Sequence, residues 1–160
     1  MIEKNTPAIY AASFALCLAA VFVFANLHML QPLLPLLSRE FQLTPLQTSW
    51  SYAIGTLALG LSLLVYGALS DAYGRRTLLL WSLGGMALST LALTQVESFS
   101  SLILFRSLQG FFLGGLPAIA IAYMGEEYSK PALVAAVGYY ISANSLGGIS
   151  GRLMAGALAD

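Results

Sequence analysis

Side chains able to do chemistry are sparse in this 160-residue sequence, and their spacing narrows what they could do. In GALSDAYGRR, Gly67 to Arg76, the carboxylate of Asp71 is followed, after Gly74, by the two guanidinium groups of Arg75 and Arg76. Charges this close pair with one another or with headgroups, and Glu126 and Glu127 offer further partners for an arginine. Arg106 stands alone in a stretch, 98–125, that is otherwise free of charge. His28 is the only histidine and Cys17 the only cysteine. That excludes two-histidine zinc motifs, cysteine-type metal sites and an intrachain disulfide. No Ser-His-Asp arrangement, paired aspartates or metal-ligand cluster appears, so neither enzyme chemistry nor a cofactor is expected.

These few groups are set in an apolar chain. Apolar residues make up 58% and charged residues 9%, with a mean hydropathy of +0.79. A soluble domain carries roughly a quarter charged residues, so this chain has too few to cover a water-facing surface. The net charge is zero, which gives no argument for nucleic acid. The composition is that of an integral membrane protein with lipid as its main partner. Crossing the hydrocarbon core takes about 20 mostly apolar residues. Reading between charges gives five spans, near 8–30, 48–69, 77–95, 102–124 and 133–155. They are expected to be helices, because lipid tolerates no open sheet edge. The first apolar stretch, Ala8 to Leu27, is too long for a signal-peptide core, and Glu3 spoils the basic region that would precede one.

Short connections fix the topology. Lys4, Arg75, Arg76 and Lys130 fall on one side, with Arg39 alone on the other. Cytoplasmic loops carry the excess of Lys and Arg, which places the N-terminus in the cytoplasm. Five spans leave the C-terminus on the outer side directly after a helix, so the chain reads as part of something longer.

Asp71 closes the second span, where the helix dipole already presents negative charge and an aspartate is unfavourable. Something must compensate it. One reading is interfacial punctuation, charges holding helix ends at the headgroups. The other comes from a resemblance: Gly67-x-Leu69-x-Asp71-x-x-Gly74-Arg75-Arg76 resembles the loop motif between helices two and three of the major facilitator superfamily. It departs at Ala72, where a basic residue is common. The resemblance implies that Asp71 meets a helix N-terminus from the other half of a transporter. It also implies that Arg75 pairs with an acid ending helix four, best matched by Glu126, and that the two contacts latch the outward-facing state.

Arg106 has two readings as well. It is either a shallow arginine snorkelling to the interface or a functional charge sharing a face with Gln109, Gly110, Leu113, Gly114 and Pro117. LILFRSLQG, Leu102 to Gly110, resembles the superfamily's fourth-helix motif, which implies a cavity-facing charge in substrate or proton handling. In the fifth span, Gly147, Gly151 and Ala155 form a small-residue face for close packing. Gly138, Gly147, Gly151 and Gly156 also fall on the spacing of the superfamily's antiporter motif, although Arg152 replaces its proline. The wording from Gln31 onward is similar to the YnfM-like group of bacterial inner-membrane transporters.

The resemblance implies an all-α fold: five helices of a six-helix N-terminal domain built as an inverted 3+3 repeat. GALSD and GALAD begin 89 residues apart and close spans two and five, the equivalents in that scheme, unless the echo is chance. The expected protein is a multi-pass transporter of the bacterial inner membrane, exporting a small organic solute with protons as coupling ion and completed by helices beyond these five. Asn26, His28, Gln31, Arg106, Gln109, Tyr140 and Asn144 are the pocket candidates. No acid lies deep in a span, so His28, otherwise a wetted or hydrogen-bonded residue, is the one local group that could carry a proton. The rivals are an inactive truncated product and a small homo-oligomeric exporter.

Overall fold

The computed structural model describes residues 7–159, so Glu3, Lys4 and Asp160 lie outside the described residues. Among the described residues the chain is helical almost throughout, and its helices form five spans long and apolar enough to cross a membrane. Helices α1 (Pro7–His28) and α2 (Leu30–Glu40) run on as the first span. The second is α3 (Pro45–Tyr73) and the third α4 (Arg75–Leu93). Helices α5 (Phe99–Leu113) and α6 (Gly115–Glu127) make the fourth, and α7 (Lys130–Ala159) the fifth.

Four of the five run past their hydropathy bounds at both ends, while α4 both begins and ends two residues early. Polar caps explain two of the longer starts. Thr44 caps α3 in a reciprocal box with Gln47, with Pro45 in the first turn, and Ser98 does the same for α5 with Ser101. Hydropathy does not register such ends.

The two interruptions have one cause. Met29 and Gly114 each stand three residues before a proline, Pro32 and Pro117. Proline lacks the N–H and crowds the carbonyl four residues back, here those of His28 and Leu113. The path stays helical: the Met29 N–H donates to the Ala25 carbonyl at 2.9 Å and that of Gly114 to Gly110 at 3.3 Å.

Leu16, Val23, Leu113, Leu116, Ile119 and Met124 form an apolar core, whereas α3 turns mostly small and polar residues inward and Leu57, Leu61 and Leu64 outward. The buried face of α3 is Thr48, Ser51, Gly55, Ser62, Tyr66 and Ser70. The Ser51, Ser62 and Ser70 hydroxyls donate to carbonyls of their own helix at 2.6, 2.7 and 2.9 Å, which leaves no donor orphaned. Phe14, Phe22, Leu64, Trp81 and Leu88 point outward. In lipid, small residues drive helix association by letting backbones approach.

Glycine sets the closest approaches, between α1 and α7 and between α3 and α5. A Cβ on Gly147 would lie 2.5 Å from the Val21 carbonyl oxygen. One on Gly151 would strike the Ala25 carbonyl, and one on Gly110 the Gly55 carbonyl. The other two glycines of the fifth-span spacing do not share this role. A Cβ on Gly138 meets nothing within 4 Å, and one on Gly156 makes only an ordinary 3.7 Å contact with Pro32. Packing therefore draws on the middle of that spacing and not on its ends.

These contacts repeat. Ala25 touches Gly151, and Gly114 touches Ser62. Gly114 lies 89 residues after Ala25 and Gly151 lies 89 after Ser62, the same offset that separates GALSD from GALAD. Span one on span five is thus repeated as span four on span two, with direction reversed, as an inverted repeat requires.

Gly110→Ala and Gly151→Ala should each destabilise the bundle by about 1–3 kcal/mol through overpacking. Gly138→Ala should be neutral or stabilising by up to about 1 kcal/mol. Thermal unfolding in detergent measures all three.

Candidate functional site

Two polar assemblies are built on enclosed arginines, one at the bundle end and one inside, and a third polar group gathers at His28. The end assembly begins in the last turn of α3. Gly74, at φ +86°, holds the left-handed region that glycine adopts without strain, and α4 starts at once with Arg75. The Arg75 guanidinium turns back over the bundle end. Its Nε donates to Glu126 Oε2 at 2.7 Å and its Nη2 to Glu126 Oε1 at 2.5 Å, a bidentate grip across to α6. Nη2 also lies 3.1 Å from Asp71 Oδ1, and Nη1 donates to Ser70 Oγ at 3.2 Å.

The electrostatics favour this cluster. Asp71 and Glu126 each sit at a helix C-terminus and Arg75 at an N-terminus, so each alone opposes its own dipole. Gathered together, the cation faces two carboxylates and the negative ends of α3 and α6. Arg75 is largely enclosed, at 18% side-chain exposure, whereas the Asp71 side chain is 72% exposed. The Asp71 carboxylate therefore has room for another partner.

The rest of the loop motif is divided. Arg76 is exposed and lines a shallow recess with Ala12, Leu80 and Tyr123, away from the ion pairs. Gly67 has open space where a Cβ would stand, and Leu69 is half-buried. Ser70, which the motif does not include, is a direct partner of Arg75.

The inner assembly centres on Arg106. It is 1% exposed, buried among α1, α3, α4 and α5, and does not snorkel to an interface. Its Nη1 donates to Gln109 Oε1. Gln109 Nε2 in turn donates to Asn26 Oδ1 at 2.6 Å and Thr90 Oγ1 at 2.9 Å. With both amide hydrogens so engaged, the Gln109 carbonyl is fixed toward the guanidinium. Thr90 donates to the Met86 carbonyl at 2.7 Å, which ties α4 into the network. Gly110 lets α5 settle on Gly55 and so brings Arg106 against α3.

His28 and Gln31 form a separate group. Arg152 Nε donates to Gln31 Oε1 at 2.6 Å, and its Nη2 lies 3.2 Å from His28 Nδ1. Tyr52 Oη is also 3.2 Å from that nitrogen. A guanidinium only donates, so Nδ1 carries a lone pair while this bond stands, and the ring is neutral with its proton on Nε2. Tyr140 is buried and Asn144 half-buried, one turn apart on α7; among the described residues no hydrogen bond of ordinary geometry reaches Tyr140 Oη or Asn144 Oδ1. The seven pocket candidates thus fall into three sets: Asn26–Arg106–Gln109, His28–Gln31 and Tyr140–Asn144. Thr90, Tyr52 and Arg152 complete the first two and were not among them.

Residues 16–160 match the sequence profile of the Major Facilitator Superfamily. The uncharacterized MFS-type transporter YybF of Bacillus subtilis (strain 168) is 39% identical over 159 residues, 99% of this chain and 39% of that protein. The inner membrane transport protein YnfM of Escherichia coli (strain K12) is also 39% identical, over 99% of this chain and 38% of its own length. This chain thus spans well under half the length of these relatives. Among solved structures, a bacterial homolog to the human lysosomal transporter Spinster, in an inward-facing and occupied conformation, superposes with a TM-score of 0.88. That match covers 98% of this chain and 34% of the other at 20% identity, and so speaks to the fold alone. With five membrane-length helices and a profile match over nearly its whole length, the chain belongs to the major facilitator superfamily.

Proposed function

We propose that these residues are the opening five spans of a secondary transporter that exports a small organic solute by alternating access in exchange for protons. It would lie in a bacterial inner membrane with its N-terminus in the cytoplasm. The observation that carries this reading is the Asp71–Arg75–Glu126 cluster. Arg75 is committed to Glu126 within the bundle, while Asp71 keeps an exposed carboxylate at the same end. An exposed acid at a helix C-terminus gains most from the positive N-terminus of a further helix. Such a helix would come from the portion that the relatives have beyond this match. Contact there would hold the two halves together on the cytoplasmic side and favour the outward-facing state.

Lipid and solute are the remaining partners. Proton coupling would rest on helices beyond these five or on His28, since the acids of the described spans stand in their end turns. His28 could take a proton only after releasing Arg152.

In the complete transporter, Asp71→Asn should shift the balance between outward- and inward-facing states by about two- to thirtyfold, the range of a charge at a helix terminus. Accessibility of single-cysteine reporters from either face measures the shift, and efflux of a labelled dye panel should slow with it. An unchanged balance would count against the latch. Arg75→Glu, which sets a third carboxylate beside Asp71 and Glu126, should slow efflux, and adding Glu126→Arg should restore most of it. Efflux from cells expressing the 160 residues alone would instead point to an oligomer of five-span subunits.

A further inference from the structure

Arg106 holds two buried donors, Nε and Nη2, that no acceptor reaches among the described residues. They are not an arbitrary pair. Nε–H and Nη2–H lie parallel along one edge of the guanidinium plane, and that edge matches the two oxygens of a carboxylate. Arg75 shows the fit within this chain, its Nε and Nη2 gripping the two oxygens of Glu126 at 2.7 and 2.5 Å. Arg106 offers the same edge, with Nη1 already fixed by Gln109 and Gln109 fixed by Asn26 and Thr90.

The surroundings favour an anion. Glu40, Asp71, Glu97, Glu126 and Glu127 all stand in end turns or loops, so the described spans have no acid at the depth of Arg106. Helix α3 packs against this guanidinium at Gly55, where a Cβ would stand 3.1 Å from Nη2 and 3.4 Å from Nε, so only glycine leaves the donors room there. A buried charge with unanswered donors is costly, and the cost is relieved by an acceptor of opposite charge.

We infer that the transported solute carries an anionic group, a carboxylate in the simplest case, and that the Nε–Nη2 edge of Arg106 receives it. This rests on the transporter reading above. The same chemistry could be met by an acidic side chain from another span, and the experiment separates the two sources.

The complete transporter in lipid nanodiscs is titrated with matched pairs, acetate and acetamide, benzoate and benzamide, succinate and succinamide, and followed by thermal unfolding. At least one carboxylate should raise the midpoint while its amide does not. Its apparent affinity should fall about ten- to a hundredfold in Arg106→Lys, which keeps the charge and loses the edge. Gly55→Ala keeps the arginine, crowds the edge and should weaken the same carboxylate. Amides acting as well as carboxylates, or a carboxylate effect that survives Arg106→Lys, would overturn the inference. So would transport of neutral or cationic dyes with no response to any carboxylate, the result expected if a side chain occupies the edge. Failure to carry any solute of any charge would instead remove the transporter reading beneath it.

Discussion

A guanidinium withdrawn from water keeps its charge, and each of its donors then has to be answered by the protein or by something bound to it. That requirement organises both arginine-centred assemblies of this chain. Arg75 meets it at the bundle end, where α3 and α6 present their carboxylates and the negative ends of their dipoles. Arg106 meets it in part, through a side-chain relay that reaches three helices. One arginine is satisfied and structural. The other is oriented, enclosed and left with its carboxylate-matching edge unused.

The relay depends on how closely the helices approach. Gly110 on Gly55 and Gly151 on Ala25 bring backbones into contact, and larger residues there would push the helices apart. Arg106 would then lose α3, and Asn26 would move out of reach of Gln109. On α3 the large side chains of Leu57, Leu61 and Leu64 are turned outward instead. The Ala25–Gly151 contact and its counterpart Gly114–Ser62, related by an 89-residue offset, indicate that one packing solution was used twice in opposite directions.

Much of this was legible in the sequence because it is local or motif-borne. The spans follow from runs without charge, the pairing of Arg75 with Glu126 from the loop motif, and the buried face of α5 from helical spacing. Spacing on one helix cannot reveal what the next helix brings, which is why Thr90, 64 residues from Asn26, went unseen as its neighbour. Arg152 registered only as a missing proline, although it binds Gln31 and approaches His28. The shallow position of Arg106 left snorkelling open, and only the packing of α3 against α5 resolves it. The fifth-span glycines show the converse, since four residues share a spacing and only Gly147 and Gly151 touch α1 closely.

The central claim is that Arg106 is held by a single connected network running through Gln109 to Asn26. A double-mutant cycle of Gln109→Leu and Asn26→Leu, read by thermal unfolding of the complete transporter in nanodiscs, tests it most directly. Two residues in one network should show a coupling energy of at least about 0.5 kcal/mol. Strictly additive effects would mean that the two side chains act independently and that no such network positions the arginine.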